Sequence, residues 1–221
     1  MYMIIVGAGS VGSRLIDIAA KGRNNVVVIE KNEDRAREVS ENSDITVLNS
    51  EATLVETLRE AGAERADALI VTTSDDAVNL MVVAVAHELE IPSIVSVVND
   101  PGHAEFFRKL GAHVLESPEE VVASHLYNMV KRPQVQDFAV LCNGHEVFFR
   151  LEVKEGSALV GRSAAESEKK GILPNSFRIV AVERDGKRGI LKPETVIGAG
   201  DVLTVFSLER VSDEILEKLA G

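Results

Sequence analysis

The first twelve residues constrain the fold more than any other stretch of the chain. A short apolar run, Met3-Ile4-Ile5-Val6, passes directly into Gly7-Ala8-Gly9-Ser10-Val11-Gly12. A helical pattern follows, then a second apolar run, Val26–Ile29, and then Glu30, 18 residues beyond Gly12. Strand, Gly-x-Gly-x-x-Gly turn, helix, strand and terminal carboxylate make the dinucleotide-binding fingerprint. The glycines have separate tasks. Gly7 permits the tight turn, Gly9 lets backbone N–H groups approach a pyrophosphate, and Gly12 lets the helix pack on the strand. The helix N-terminus adds partial positive charge. Glu30 stands where a carboxylate accepts ribose hydroxyls, and its charge disfavours a 2′-phosphate. The glycines alone occur widely, so the signal lies in their context between strand and helix.

Apolar runs and helical patterns keep alternating through the first 130 residues. Strands are predicted at 3–6, 26–29, 45–48, 68–72, 93–98 and 113–115, and helices at 10–22, 33–42, 53–61, 76–90, 102–110 and 118–130. The strands are short and rich in Val and Ile, as expected when both faces are buried. Thr53 is positioned to cap the third helix and Asp75-Asp76 to open the fourth. This order predicts an α/β, Rossmann-like doubly wound parallel sheet with ligand at the strand C-terminal ends. The pattern changes at Lys131-Arg132-Pro133-Gln134, where proline ends the helix. Beyond it Asn143-Gly144 and Asp185-Gly186 each stand between apolar runs and read as hairpin turns. Val202–Phe206 reads as a strand and Val211–Leu219 as a closing helix. The expected division is a nucleotide-binding domain over 1–133 and a small α+β C-terminal lobe over 137–221.

Composition narrows the function classes. The formal net charge of −11 disfavours generic nucleic-acid binding, which needs a basic face. The single Cys142 excludes an intrachain disulfide and a cysteine-rich zinc site, and reads as a buried, inert thiol. No signal peptide is evident, and the most apolar helix, around Leu80–Ala86, is too short to span a bilayer. The expectation is a soluble chain that reaches a membrane only through a partner.

Several ordered segments carry a family likeness. They are Gly7–Gly12, Val28-Ile29-Glu30-Lys31-Asn32, Leu58-Arg59-Glu60-Ala61-Gly62 and Ala66–Thr72 with Asp75-Asp76 and Asn79-Leu80. Val98-Asn99-Asp100-Pro101, Leu110-Gly111-Ala112 and Ser117-Pro118-Glu119 complete the first domain, and Leu159–Ser163 and Gly200–Val205 fall in the second. In this order and spacing the chain resembles the RCK (KTN/TrkA-type) regulatory subunits of potassium channels and transporters, in their single-copy form. The resemblance implies a cytoplasmic, non-enzymatic subunit, peripheral to the inner face of the membrane. It implies an adenine nucleotide (NAD/NADH or ADP/ATP) in the first domain and a homo-oligomer, dimers building toward a ring. A membrane-embedded potassium transporter or channel subunit would be the partner, gated when the nucleotide changes the ring's shape.

Carried onto this chain, the resemblance assigns nucleotide contacts to Gly7, Ala8, Gly9, Ser10, Val11, Gly12 and Glu30. It adds Lys31 at the adenosine edge and Ser50 and Glu51 after the third strand, where the family commonly has Gly-Asp. It assigns Thr72, Thr73 and Asp75 to the loop facing the phosphates, and a divalent cation beside the nucleotide to Glu119, whose bland reading is a helix-start carboxylate. The family often has an arginine on the fifth strand; this chain has Val97, which removes the natural clamp for a terminal phosphate. Two other readings stand beside this one: a regulator of a different cation antiporter or carrier, and an NAD-dependent oxidoreductase. For the latter, Tyr127 and Lys131 have the Tyr-x-x-x-Lys spacing of short-chain dehydrogenases, yet the glycine pattern differs, and a linking helix with a packed tyrosine and a solvated lysine is the simpler expectation. The five histidines, at 87, 103, 113, 125 and 145, form no His-x-x-x-His pair and read as surface residues. Adjacent Phe148 and Phe149 point to opposite faces of a strand, one toward the core and the other free for an interface.

Overall fold

The computed structural model describes residues 1–141, 146–209 and 211–221. It divides into two compact units, Met1–Glu120 and Val121–Gly221. The sequence-based boundary lay at 133–137, so most of the last helix of the first pattern groups with the second unit.

In the first unit, strands β1 (Tyr2–Val6), β2 (Asn25–Ile29), β3 (Thr46–Leu48), β4 (Ala68–Val71), β5 (Ile94–Val98) and β6 (His113–Glu116) form one parallel sheet. Their order is β3-β2-β1-β4-β5-β6. The order reverses between β1 and β4, which opens a crevice at their C-terminal ends. Helices α1 (Ser10–Lys21), α2 (Glu33–Asn42), α3 (Val55–Glu60), α4 (Asp76–Glu88) and α5 (Ala104–Lys109) make the crossovers. β1 shows why the sheet is covered on both sides. Ile4 and Val6 join one core with Leu58, Leu69, Val82 and Phe107, while Ile5 joins a second with Ile16, Ala19 and Val28. Each buried Val, Leu, Ile or Phe among them stabilises by about 1.5–3 kcal/mol.

Most element predictions hold, with local corrections. Thr53 does not cap α3, whose N-cap is Leu54 without a side-chain hydrogen bond. Asp75 caps α4 through its carboxylate, which accepts from Ala77 and Val78 N–H. The fifth helix is shorter than expected, because Pro101–His103 is a 3-10 turn preceding α5.

Helix α6 (Pro118–Lys131) begins in the first unit and continues into the second, and buries none of its residues. The tyrosine expected to pack is 65% exposed, and Lys131 pairs with Asp213 at 3.0 Å. The second unit is an antiparallel sheet in the order β10-β9-β11-β8-β7. Its strands are β7 (Val135–Leu141), β8 (Glu146–Glu152), β9 (Phe177–Arg184), β10 (Lys187–Ile190) and β11 (Val202–Ser207). Helices α7 (Ala164–Lys169) and α8 (Asp213–Ala220) complete it. β7 starts directly after the proline-bearing segment, earlier than the lobe was expected to begin. Asp185 and Gly186 both have positive φ between paired Arg184 and Lys187, as a type I′ turn requires. The Asn143-Gly144 turn, Cys142 and His145 lie outside the described residues. Phe149 is fully buried against Phe177, whereas Phe148 lies tilted against Phe206 on the opposite face, the ring centres 4.9 Å apart. Helix α7 escaped the periodicity analysis, although Ser163 and Glu166 form a capping box that Ser-x-x-Glu announces.

By charge the two units differ sharply. Residues 1–120 hold 10 Lys and Arg against 21 Asp and Glu; residues 121–221 hold 14 against 14. The whole net charge of −11 therefore belongs to the parallel-sheet unit.

Asp201, almost fully buried, fastens the end of β9 to the start of β11. It accepts from Arg184 Nε and Nη2 at 2.7 and 2.6 Å and from Gly198 N–H at 2.8 Å. The Arg184 guanidinium, against the opposing effect of burial, holds this carboxyl below the usual range. Its stabilisation is therefore complete above about pH 4 and fades as pH falls through the lowered folded value. Asp201→Asn is expected to cost about 1.5–3 kcal/mol at pH 7, with the deficit shrinking toward pH 3. Chemical denaturation of both proteins across that range checks this. At Gly12, an added Cβ would overlap the Gly7 carbonyl oxygen and come within 2.8 Å of Thr72 Oγ1. Gly12→Val is expected to lower the melting temperature of the first unit, at about 1–3 kcal/mol; an unchanged melt would refute the close-packing role.

Candidate functional site

The crevice is built from the ends of four strands. β1 runs into Gly7, whose φ of +92° is readily accessible only to glycine. The chain then turns through Ala8 and Gly9 into α1. No side chain caps the α1 N-terminus, and its first turn holds no acidic residue. Helices α2, α4, α7 and α8 are capped by Asn32, Asp75, Ser163 and Ser212, whereas the short α3 and α5, like α1, have no side-chain cap. A Cβ at Gly9 would meet nothing within 4 Å, so the backbone there lines open space.

Glu30 organises the turn. The residue is only 5% exposed, and its two carboxylate oxygens accept from Ala8 N–H at 2.6 Å and Asn32 N–H at 2.7 Å. The Glu30 backbone is held in turn by β3: its N–H donates to Leu48 O, and Asn49 Nδ2 donates to its carbonyl. Ser50 and Glu51 follow directly. Ser50 Oγ lies 3.1 Å from Thr57 Oγ1, which anchors this loop to α3, and Glu51 is half-buried. Lys31 is exposed and forms no hydrogen bond or ion pair among the described residues.

On the other side of the switch point, Thr72 Oγ1 is within hydrogen-bond distance of both Val6 O and Gly7 O, at 3.1 and 3.0 Å. Thr73 packs close to Gly7. Buried Asn79 supports this wall, donating to Thr73 O and Val97 O. Val97 itself is buried. Asp75 is occupied by its capping role. Thus Gly7–Gly12, Glu30, Thr72 and Thr73 form one connected set, with Ser50 and Glu51 joined to it through Asn49 and Leu48. Glu119 is exposed in the first turn of α6 and bonds to none of them. Among the described residues, no group of three or more His, Cys, Asp or Glu is placed to hold a metal ion.

A further cluster borders the crevice. Asp76 accepts from Asn99 N–H, Asn99 Nδ2 and Asp100 N–H at 2.8, 2.8 and 2.9 Å, and pairs with His103 Nδ1 at 2.9 Å. Burial opposes its charge, but the Asn99 and Asp100 N–H groups with the His103 and Asn99 side chains outweigh it and hold the carboxyl at about 2. The same hydrogen bond raises the His103 pKa. Sequence reasoning placed His103 at the surface, which is correct, but assigned it no partner; Asp76 is 27 residues distant in sequence, beyond any local pattern. Asn79 was also missed. Its signal was a polar residue at a helix position that otherwise faces the core.

A model of the TrkA-N domain matches residues 3–118, and a model of the TrkA-C domain matches residues 148–220. The chain belongs to the TrkA-type RCK family. The Trk system potassium uptake protein TrkA homolog of Methanothermobacter thermautotrophicus is 29% identical over 222 residues, covering the whole of both chains. The Trk system potassium uptake protein TrkA of Azorhizobium caulinodans is 31% identical over 212 residues, covering 93% of this chain and 45% of that protein. The chain thus spans the full length of the first relative and about half of the second. Of solved structures, the GsuK channel bound to NAD superimposes with a TM-score of 0.65 at 23% identity, over 100% of this chain and 39% of that one. That likeness shows the fold.

The Glu30 geometry yields a test independent of any ligand. In Glu30→Gln one acceptor becomes an NH2 facing a backbone N–H, so one buried donor loses its partner. The variant is expected to unfold about 1–3 kcal/mol more readily without nucleotide. Thermal melting that matches the parent protein would show that the carboxylate does not hold the turn.

Proposed function

We propose that this chain is a nucleotide-sensing regulatory subunit of a membrane potassium-uptake system. The observation that carries the reading is the uncapped α1 N-terminus behind an open glycine turn, at the switch point, with Glu30 beside it. The residues fit an adenine nucleotide. The N–H groups around Gly9, Ser10 and Val11 would receive a pyrophosphate, with Ala8 and Gly12 shaping the turn. Glu30 has lone pairs left for ribose hydroxyls after accepting two N–H groups. Lys31, Ser50 and Glu51 would border the adenosine, and Thr72 and Thr73 the phosphates, with Asp75 fixing their loop. For Glu119, the described residues offer no companion ligands, so the cation part of the family pattern has little support in this chain.

The regulatory part of the reading rests on the family. Relatives over the full length and over half are named as Trk potassium uptake proteins, and no described helix is long and apolar enough to cross a membrane. A peripheral position at the inner membrane face, through a transporter or channel partner, follows from that reading. Assembly with further copies is supported by α6, where Val121, Val122, Leu126, Tyr127, Met129 and Val130 are all more than half exposed. Nucleotide-dependent change in such an assembly would be the output, limited by the ligand's differential affinity for the two shapes. For an oxidoreductase, the one suggestive pair is Tyr127 and Lys131. Tyr127 is on a helix without buried residues, and Lys131 is engaged by Asp213.

Charge sharpens the expected ligand. The unit that would hold an anion has a net charge of −11, and Val97 replaces the arginine clamp. Singly charged NAD is therefore expected to bind more tightly than ATP, and added salt to narrow the gap by screening repulsion. Calorimetric titration with ATP, ADP, AMP, NAD and NADH at two ionic strengths checks this. No binding below about millimolar, or equal binding by Glu30→Ala, would refute nucleotide sensing at this site; 1 mM corresponds to only about 4 kcal/mol.

A further inference from the structure

An open depression on the β4–β5 side of the crevice is lined by Ser74–Ala77, Asn99, Asp100 and His103. Its walls are two separate pieces of chain. One is the start of α4, which continues from the Thr72–Thr73 loop. The other is the segment from Asn99 to His103, following β5. Asp76 joins them, because all four of its hydrogen-bond partners belong to that second segment.

We propose that His103 and Asp76 form a proton-operated latch, which holds the Asn99–His103 segment against α4 when the imidazole is charged and loosens it when the proton leaves. The consequence for nucleotide rests on reading the neighbouring crevice as a nucleotide site; the latch itself does not.

The two members differ in what they can titrate. Asp76 is a carboxylate throughout the physiological range, since its pKa is about 2. Its side chain is 10% exposed, so its charge is fixed in place. His103 is half exposed and exchanges protons freely with solvent. Loss of a proton from its ring ends the ion pair with the Asp76 carboxylate, and the neutral imidazole keeps the hydrogen bond only in the tautomer that carries its proton on Nδ1. The charged groups beside the imidazole are acidic: Asp76, the first residue of α4, and Asp100 from its own turn, while Asp75, the N-cap of α4, lines the same depression. The charged groups of neighbouring α5 are engaged elsewhere, Glu105 with Lys109 and Arg108 with Glu116. Charged His103 is therefore the single cation in this wall among the described residues.

The sign follows directly. The folded-state pKa of His103 is raised, so its stabilisation is full below about pH 6.5 and is lost as pH rises through the raised value. Loss of the charge also leaves three carboxylates along the side of a site proposed for an anion. Both effects weaken an anionic nucleotide at higher pH, and they weaken ATP more than NAD. Reciprocity requires bound nucleotide to raise the His103 pKa further. The segment also leads toward α6: Ser117, the residue before that helix, donates its N–H to Val98 O and its hydroxyl to Asn99 O. A loosened segment thus frees the start of α6.

The test uses the full chain and His103→Gln, which keeps a neutral donor and cannot titrate. Hydrogen exchange at the Asn99 and Asp100 amides, corrected for intrinsic pH dependence, is measured from pH 6 to 8.5, alongside calorimetric titration with NAD and with ATP. In the parent protein, protection is expected to fall with rising pH, and ATP affinity to fall by about fivefold, the low end of measured couplings. Both trends should be flat in His103→Gln. Protection that is independent of pH in the parent, or the same pH trend in the variant, overturns the latch. If the amides respond as expected but neither nucleotide binds at any pH, the latch stands and the nucleotide reading falls. If nucleotide binds without pH dependence while the amides respond, the latch is confirmed and its coupling to the crevice is refuted.

Discussion

Everything at the crevice depends on one carboxylate accepting two backbone donors. Glu30 is buried at the end of β2, and a buried charge without partners would cost several kcal/mol. Its partners are the Ala8 and Asn32 N–H groups, one in the glycine turn and one at the start of α2. The bonds therefore do two things together. They keep the charge tolerable, and they tie the flexible Gly7–Gly9 turn to the next strand. A turn rich in glycine would otherwise be costly to order, since glycine loses the most backbone freedom on fixing. Held this way, the N–H groups of α1 point outward before any ligand arrives, and little ordering remains to be done on binding.

The same economy would let an acidic domain accept the proposed anion. Long-range repulsion from a net charge of −11 is screened beyond about 8 Å at physiological salt. The helix N-terminus acts within its first turn, at contact distance. A pyrophosphate seated there, as proposed, would feel the short-range attraction fully and the diffuse repulsion only in part. Every additional phosphate projecting away from α1 gains repulsion without a further N–H cradle, and Val97 supplies no cation to meet it. In the proposed sensor, ligand preference is thus set by where positive potential stops.

Much of this was legible in the sequence because the deciding contacts are local or periodic. The Gly7–Gly12 spacing, Glu30 and the Val/Ile runs each specify their element within a few residues, and Asp185-Gly186 specifies its turn. What escaped reading was of two kinds. Helix α7 is six residues long, too short for a periodic apolar face, and is defined by its Ser163–Glu166 cap. The Asp76–His103 pair and the Asn79 brace join residues that only the parallel sheet brings together, since β4 and β5 must be adjacent before α4 can reach the segment after β5. Tyr127 failed for a related reason. Apolar residues spaced along α6 suggest a packed face, yet periodicity cannot say whether the surface that covers it belongs to the same chain.

Helix α6 carries that question furthest. A helix of 14 residues is marginal when isolated in water, and most helices are held by a buried stripe. This one has no buried residue, so its ends must do the holding. At its C-terminal end Lys131 and Arg132 both grip Asp213, and the Arg132 guanidinium lies 5.7 Å from the Phe138 ring centre. At its start, Ser117 is tied to Val98 and Asn99. A segment anchored at its ends and apolar between them tolerates exposure poorly. Covering Val121, Val122, Leu126 and Met129 with another copy would relieve the exposure.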